Sequence, residues 1–462
     1  MNNTNNHLSK VGIPSVLAFF ISFNCIAAEN VQNTWSNRVL GYDKPVTEPL
    51  LGDMWGVRKD LKDHGFTFRL AYLTESAYNM GGGYNSDKHY AFVDDTAFTF
   101  TQDLEMYTGI PDAKIDGNIV NRNHDDDLTS KRIIDPRVPR NDQAQEAYSG
   151  GQSITRLGWL TFSRSFLDRK LNWRVGLMNK NQDFDLIVNC DFQLISLCGG
   201  KSAKSGLWYN WNVHTWGTAI QYKITPELTF KTGVLEYNPT ANQRSQAWSW
   251  STKGSKGFLL PVEILWRTTR INGLSGAYNL GVIYTNGERS DLSQGASQSS
   301  GVNDPEGYKT HNRTLFVYTS VNQQLTSVDG DDKRGLSVSN SFGLADEKTM
   351  YFKYVNSSAL RYRGLFESRP DDMLAFGVTY IEPSAHYKSR QKTRNEVRGI
   401  TNINDPAWAP VPGHSMSYSL YYRVQATPWL AIQPEIQYWN RPSGLTETQD
   451  AVVGALKTTI TF

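Results

Sequence analysis

The chain ends on the stretch VVGALKTTITF, residues 452–462, in which apolar and polar side chains alternate. The mostly apolar parity consists of Val452, Gly454, Leu456, Thr458, Ile460 and Phe462. The mostly polar parity consists of Val453, Ala455, Lys457, Thr459 and Thr461. Successive side chains of a β-strand point to opposite faces of its sheet. The stretch therefore predicts a strand with one apolar face and one polar face.

Two preceding segments, residues 430–438 and 418–425, repeat this alternation. The connection between them, residues 426–429, is short, as is the connection at 225–227 between two other alternating runs. By contrast, residues 290–312 and 387–412 form long polar stretches. Short turns at one end and long loops at the other are typical of an outer-membrane β-barrel, with the short turns in the periplasm.

Composition agrees with a barrel better than with a soluble enzyme. The 462 residues include 23 Tyr, 20 Phe and 13 Trp, and the net charge of +2 argues against a nucleic-acid partner. A β-sandwich of this length would divide into two domains, and no linker marks such a division. Aromatic residues at strand ends indicate membrane-interface girdles: Trp173, Trp216, Tyr237, Trp266, Tyr380, Trp429, Tyr438 and Trp439.

We therefore predict an all-β fold, a transmembrane antiparallel β-barrel of about 16 strands with 18 as the alternative count. The barrel domain is expected to span residues 66–462. After the first thirty residues, no apolar run reaches the length of about 18 that a membrane-spanning helix needs. The wall would contact outer-membrane lipid.

Two segments precede the predicted barrel. An apolar run at residues 11–23, followed by Ala27 and Ala28, predicts a cleaved signal peptide over residues 1–28. Residues 29–65 would form a periplasmic segment with an amphipathic helix carrying Met54, Val57 and Leu61, with Asp53 as its N-cap and Gly65 as its end. We expect this helix to pack against the periplasmic rim.

Two cysteines, Cys190 and Cys198, remain after signal cleavage. In an oxidising compartment they are expected to form a disulfide, the alternative being two reduced thiols in a loop. The bond would stabilise the folded state by roughly 2 to 3 kcal/mol in the chain-entropy model.

Strand parity also predicts which charged side chains line the lumen. If the apolar parity faces lipid, the lumen receives Arg69, Asp103, Glu105, Arg174, Lys223, Lys231, Glu263, Arg267, Arg423, Glu435 and Lys457. The mixture of both signs lacks the single-sign ring of a strongly ion-selective pore. These charges would suit the passage of a neutral polyhydroxylated solute and could give the pore a weak preference for anions. The alternative is that they only keep the wall hydrated.

Trp248 and Trp250, in a Ser- and Lys-rich loop, are candidates for stacking against sugar rings. The alternative is that they belong to the interfacial girdle.

Four blocks of this sequence resemble the carbohydrate-selective porin (OprB) family. They are LGDMWGVR at 51–58, RVGLMNKNQDF at 174–184, GLFESRPDDMLAFGVTY at 364–380 and PWLAIQPEIQY at 428–438. The first block departs from the family pattern at Val57, where the family usually has a second glycine. The resemblance implies passive diffusion of glucose and related small neutral sugars through a monomeric or loosely associated barrel, with a loop near residues 185–200 narrowing the channel.

Other readings stay open or are disfavoured. The solute is alternatively a polyol or a small cyclic acid such as quinate, and a surface barrel enzyme is the less favoured alternative. The segment 413–417 starts like a nucleophile elbow but lacks its final glycine, so no catalytic residue is assigned. We find no zinc spacing, calcium loop or phosphate loop, and expect neither metal nor cofactor.

Overall fold

The computed structural model describes residues 48–462 except 125–126, 149–152, 210 and 332. The predicted signal peptide, 1–28, and residues 29–47 of the predicted periplasmic segment lie outside the described residues. No helix in the described part of the chain has both the length and the apolarity needed to cross a membrane.

Sixteen strands form one closed antiparallel barrel, which confirms the lower of the two predicted counts. They are β1 Phe66–Gly83, β2 His89–Asp103, β3 Ala113–His124, β4 Thr155–Phe166, β5 Leu171–Met178, β6 Thr215–Lys223, β7 Leu228–Glu236, β8 Phe258–Ile271, β9 Leu274–Thr285, β12 Thr314–Gln324, β13 Gly335–Leu344, β14 Phe352–Arg363, β15 Met373–Pro383, β16 Ser415–Thr427, β17 Leu430–Asn440 and β18 Gln449–Thr461. Strands β10 Arg289–Gly295 and β11 Tyr308–His311 form a separate hairpin in the β9–β12 loop.

Burial along the strands follows the predicted parity. On β17, Gln433, Glu435 and Gln437 are buried, whereas Ile432 and Ile436 are exposed on the outer surface. The polar parity therefore faces the barrel interior, and the apolar parity forms the outer wall, as in membrane barrels. Two predicted girdle residues are an exception, because Tyr237 and Trp439 are buried.

The barrel closes where β1 pairs with β18. Their register places Glu75 opposite Lys457 and Ala71 opposite Thr461. Beyond the strand, the backbone N–H of Phe462 donates to the carbonyl oxygen of Leu70 at 2.9 Å. The closing strand is thus hydrogen-bonded to β1 up to the final residue of the sequence.

The predicted N-terminal helix exists but is shorter than its sequence pattern. Helix α1 spans Val57–Asp63 and begins after Gly56, which has a left-handed backbone. The N-cap position is occupied by Gly56, so the predicted N-cap, Asp53, lies about one turn too early. The Asp53 carboxylate nevertheless accepts the N–H of Lys59 at 2.9 Å. No α1 residue is buried. Its contact with the barrel rim is made by Arg58, which donates to the carbonyl oxygens of Phe68 and Phe462.

The connections are short at one end of the barrel and long at the other, as predicted. The short-turn end includes residues 167–170, 272–273 and 428–429, and one turn carries helix α2, Glu105–Thr108. The long-loop end carries helix α3, Ala385–Arg398, and the β10–β11 hairpin. Short non-α helical turns lie at Thr129–Ile133, Glu146–Tyr148, Lys180–Gln182, Ile195–Leu197, Ser202–Ser205, Arg244–Gln246 and Pro442–Gly444.

Candidate channel and its constriction

The connection between β5 and β6, residues 179–214, enters the barrel and crosses its interior; we call it the inner loop. Its first anchor is Asp185, which is buried against the wall formed by β8, β9 and β12. The backbone N–H of Asp185 donates to Glu263 at 2.7 Å, and its carboxylate accepts the Ser320 hydroxyl at 3.0 Å. Within the loop, Ser202 donates its N–H and its hydroxyl to the same carboxylate. This network fixes both ends of the loop to one side of the barrel.

The second anchor, Asp191, lies against the wall formed by β14 and β16. Arg361 donates two hydrogen bonds to the Asp191 carboxylate, at 2.5 and 2.7 Å, and the Tyr421 hydroxyl donates a third at 2.6 Å. Burial alone would raise the pKa of Asp191, but the ion pair with Arg361 and the Tyr421 hydrogen bond lower it to about 2. The carboxylate therefore stays ionised, and the anchor persists, throughout the physiological pH range.

A third anchor comes from the predicted lumen residue Glu435 on β17. Its carboxylate accepts the backbone N–H groups of Gln193 at 2.9 Å and Leu194 at 3.3 Å. Glu435 also accepts the Ser419 hydroxyl at 2.7 Å. Because a buried N–H group needs a partner, this carboxylate satisfies two backbone donors of the loop. The loop thus spans the interior from Glu263 to Glu435.

Close packing holds the same part of the inner loop. Phe192, Leu194 and Leu197 form a buried cluster with Tyr421 and other wall residues. A Cβ atom added at Gly377 on β15 would lie 2.6 Å from Leu197. Glycine at this position lets the loop lie directly on the strand, which gives a physical reason for that glycine in the 364–380 block.

The cysteines lie within this anchored segment, and the structure joins Cys190 to Cys198 by a disulfide. The backbone N–H of Gly199 donates to the carbonyl oxygen of Asn189 at 3.0 Å, which closes the same turn. The Glu146 carboxylate lies beside the two sulfur atoms. Disulfide sulfurs are not thiolates, so these three residues do not form a metal site while the bond is intact.

A second connection, β3–β4, covers the wall at the closing seam. The Ala147 N–H donates to the Glu75 carboxylate at 3.0 Å, and Gln145 donates to the Glu75 carbonyl oxygen at 2.7 Å. Lys457 forms ion pairs with Glu75 at 3.1 Å and with Glu146 at 3.3 Å. The predicted lumen residue Lys457 therefore binds this loop to the seam.

Other predicted lumen charges are also buried in ion pairs. Lys231 contacts Glu263 at 2.8 Å. Arg174 contacts Asp116 at 3.1 Å and the inner-loop residue Asp183 at 3.2 Å. Strand parity assigned these side chains to the interior, where we expected them to be hydrated by water in the lumen. Instead, each one binds a neighbouring strand or an inner segment.

The remaining predicted residues lie towards the short-turn end. Arg423 is buried, Arg69 is half-buried and donates to Thr461 at 3.4 Å, and Lys223 and Arg267 are exposed. Asp103 ends β2, and its carboxylate accepts the N–H of Glu105 at 2.9 Å. The prediction for Glu105 is wrong. β2 ends at Asp103, so Glu105 begins α2 in an exposed turn outside the barrel wall.

A cavity of about 430 Å³ opens at the long-loop end. Three cationic side chains line it, Arg140, Lys204 and Arg289, together with Asp142 and the aromatic ring of Tyr351. Arg140 pairs with Asp127 at 2.6 Å, and Asp142 accepts hydrogen bonds from Ser196. Lys204 and Arg289 donate to carbonyl oxygens and hydroxyl groups rather than to carboxylates. The cavity is consequently net cationic.

A family model described as carbohydrate-selective porin, OprB family, matches residues 87–462. The chain belongs to the OprB family of porins. Porin B of Pseudomonas aeruginosa is 31% identical over 424 residues, covering 90% of this chain and 92% of that protein. A protein of Acinetobacter baylyi named putative porin QuiX is 31% identical, covering 89% and 93% of the two chains. The high-pH structure of Pseudomonas putida OprB superposes with a TM-score of 0.87 at 31% identity, covering 91% and 100%.

Family membership places this porin in the bacterial outer membrane. In such barrels the short turns face the periplasm and the long loops face outward. The cationic cavity, α3 and the β10–β11 hairpin are therefore extracellular, while Lys223 and Arg267 lie at the periplasmic end.

The tryptophan pair of the porin lies in the extracellular β7–β8 loop. Trp248 and Trp250 are 50% and 56% exposed. The Trp250 ring packs edge-on against Trp216 at 6.1 Å between centroids, and Trp216 shares the outward parity of β6. Trp216 also donates to the Trp250 carbonyl oxygen. This position favours the interfacial girdle over a sugar-stacking role in the channel.

Sequence parity missed Asp185, Asp191 and Asp142, the carboxylates that hold the inner segments. They lie in connections without strand periodicity, so alternation carries no information about them. One signal was present for Asp191, because it directly follows Cys190 in the segment that the family resemblance assigned to the constriction.

Proposed function

We propose that this porin allows passive diffusion of neutral monosaccharides, such as glucose, across the outer membrane. The family match supports the solute class. The observation that carries the proposal is the engagement of the interior carboxylates, since Asp185, Asp191 and Glu435 already accept hydrogen bonds from the loop or the wall. The exposed interior groups Lys223 and Arg267 are donors. Sugar hydroxyl oxygens accept hydrogen bonds from such donors. Among the described residues there is no ring of anionic side chains, which is what a cation-selective pore would need.

Swelling of proteoliposomes tests this proposal. Vesicles containing the porin should swell in isotonic glucose and should not swell in a large branched dextran. Vesicles prepared without protein provide the baseline. Impermeability to every monosaccharide tested would overturn the proposal.

A second candidate solute is a polyol or a small cyclic hydroxy acid such as quinate. The net cationic extracellular cavity favours a carboxylate-bearing solute, since Lys204 and Arg289 line it and donate their hydrogen bonds to uncharged acceptors. Quinate should then slow glucose entry in the same vesicles, and K204M should weaken this competition more than K353M, which removes an exposed extracellular cation outside the cavity. Equal competition in both variants would leave neutral sugars as the better assignment.

The proposal includes no catalytic role, no cofactor and no metal. We also propose cleavage of residues 1–28 on export, a periplasmic segment at 29–65 and a monomeric or loosely associated barrel. Mass spectrometry of the mature protein tests the cleavage, and chemical crosslinking in native membranes tests the oligomeric state. A stable crosslinked trimer would contradict loose association.

A further inference from the structure

Helix α3 carries a row of arginines on the extracellular side of the porin. Five of its residues are Lys or Arg, and one is acidic. Arg390, Arg394 and Arg398 are spaced four residues apart and so lie on one helix face. Like charges at this spacing repel each other and destabilise a helix. The row is therefore unfavourable unless something opposes its charge.

Nothing in the described part of the protein neutralises this row. Arg394 donates to the Gln391 side chain at 3.4 Å and Arg398 to the Ala407 carbonyl oxygen at 3.3 Å, both uncharged acceptors. Arg390 has a buried Nε atom without a hydrogen-bond acceptor. By comparison, Lys388 on the same helix does have a carboxylate partner, Glu382 at 3.3 Å.

The three arginines face a cleft of about 460 Å³ between α3 and the loop that joins β10 to β11. Its other walls include Val302 and Tyr308, and no carboxylate of the described residues lines it. The volume falls in the range of small-molecule sites, roughly 300–1,000 Å³. An apolar and aromatic wall opposite a cationic wall suits a ligand with one anionic group and one sugar-like face.

The cleft is rigid on both sides. The Arg390 guanidinium lies 5.0 Å from the Tyr387 ring centroid and 5.8 Å from that of Tyr308, which fixes its position. On another face of α3, Asn395 exchanges two hydrogen bonds of 2.8 Å with the backbone of Ala409. The His386 ring bonds to Ser293 of the hairpin at 2.8 Å. Helix α3 and the Arg390 guanidinium are therefore held in place before any ligand arrives.

We propose that this cleft binds a phosphate-bearing saccharide at the cell surface. Guanidinium groups match the oxygens of a phosphate in bidentate geometry, and the Tyr308 side of the cleft can contact the sugar ring. The same chemistry exists in a free sugar phosphate and in the phosphorylated sugars of lipopolysaccharide in the outer leaflet. The inference goes beyond diffusion through the pore and does not depend on it, since the three arginines belong to an extracellular loop and not to a barrel strand.

Calorimetric titration of the full-length porin in detergent tests the proposal. The probes are glucose 6-phosphate, glucose, lipopolysaccharide and enzymatically dephosphorylated lipopolysaccharide. R394Q and R398Q should each weaken phosphate-dependent binding at least about tenfold, because a hydrogen bond between charged groups is worth more than that factor. K392Q, which removes an exposed cation from another face of the same helix, is the matched control and should bind as the parent does.

The outcomes separate the two sources of phosphate. Binding of glucose 6-phosphate but not glucose, lost in R394Q, indicates a soluble ligand. Binding only of phosphorylated lipopolysaccharide, with the same dependence on R394Q, indicates the lipid. No phosphate-dependent binding of either probe, or equal losses in R394Q and K392Q, would overturn the proposal.

Three further controls accompany the titrations. Folding of each variant is checked by its heat-dependent gel mobility. R394K keeps the charge but loses the bidentate geometry of the guanidinium group, so its affinity should fall between those of the parent and R394Q. Glucose permeation should be unchanged in all of these variants.

Discussion

Glu75 and Lys457 lie directly opposite each other on the two strands that close the barrel, and their side chains form a buried ion pair of 3.1 Å. Lys457 also reaches Glu146 in the β3–β4 loop at 3.3 Å. One ammonium group therefore contacts two carboxylates at the seam.

K457M should destabilise the folded barrel by about 3–5 kcal/mol, because removing one partner leaves buried charge without compensation. The double variant E75Q/K457M should recover part of that loss. Urea unfolding in lipid vesicles measures both. K353M, which removes an exposed partner of Glu347, is the control and should cost less than about 1 kcal/mol. A K457M barrel as stable as K353M would contradict the assigned role.

R361M should release the inner loop from the β14 wall, since it removes both hydrogen bonds to Asp191 and leaves that carboxylate buried. We expect larger and noisier single-channel currents than in the parent. R369M is the matched control, because Arg369 pairs with Asp372 in a short periplasmic turn, away from the inner loop. Identical currents in R361M and the parent would show that the anchor does not position the constriction.

Reduction of Cys190–Cys198 should also change the single-channel current, since the disulfide closes a turn of the inner loop next to Asp191. The expected loss of stabilisation is roughly 2 to 3 kcal/mol in the chain-entropy model. Dithiothreitol added to the recording chamber makes the measurement, and a C190S/C198S variant should not respond to it. An unchanged single-channel current in the parent after addition of the reductant would refute the prediction.

Lys201 should make the inner loop more stable at alkaline pH. Burial, with a contribution from the Lys204 ammonium, lowers the pKa of Lys201 to about 7, against the opposing effect of Asp185 and Asp142. The folded pKa lies below the unfolded value of 10.5, so stability rises as pH increases between these values, by up to about 1.4 kcal/mol per pH unit. Below the folded pKa, the cost of burying the charge is present in full.

Thermal unfolding in detergent between pH 6 and pH 9 tests this sign. The stability of the parent should rise relative to that of K201M across this range, because K201M has no group to deprotonate at this position. K309M, at an exposed extracellular lysine, should follow the parent. A K201M profile that rises as steeply as the parent would remove Lys201 as the cause.

Strand parity predicted the wall of the barrel well, because lipid on one side and polar groups on the other impose an alternation of two on every strand. β17 follows it from Ala431 to Trp439. Glu105 shows its limit, since parity was extended two residues beyond the end of β2. The end of a strand depends on the hydrogen bonds of the following turn. In this turn the N–H of Glu105 donates to the Asp103 carboxylate.

Helix α3 could not be found by its hydrophobic periodicity. Its buried residues are Tyr387, Gln391 and Asn395, so the buried face is largely polar and bonds to backbone carbonyl groups. Its ends did carry signals, since Ser384 caps the first turn and Gly399 ends the helix with a left-handed backbone. The path of the inner loop was harder still, because its contacts join residues far apart in sequence.

That separation bears on the order of folding. Asp191 contacts Arg361 across 170 residues and Tyr421 across 230, and Gln193 contacts Glu435 across 242. Contacts of such high sequence separation form late, because loop-closure entropy must be overcome before they stabilise the chain. β14, β16 and β17 must be in place before the loop can anchor, so we expect the pore to be narrowed only after these strands have assembled. A barrel arrested before that stage would be a wide, unselective hole in the outer membrane.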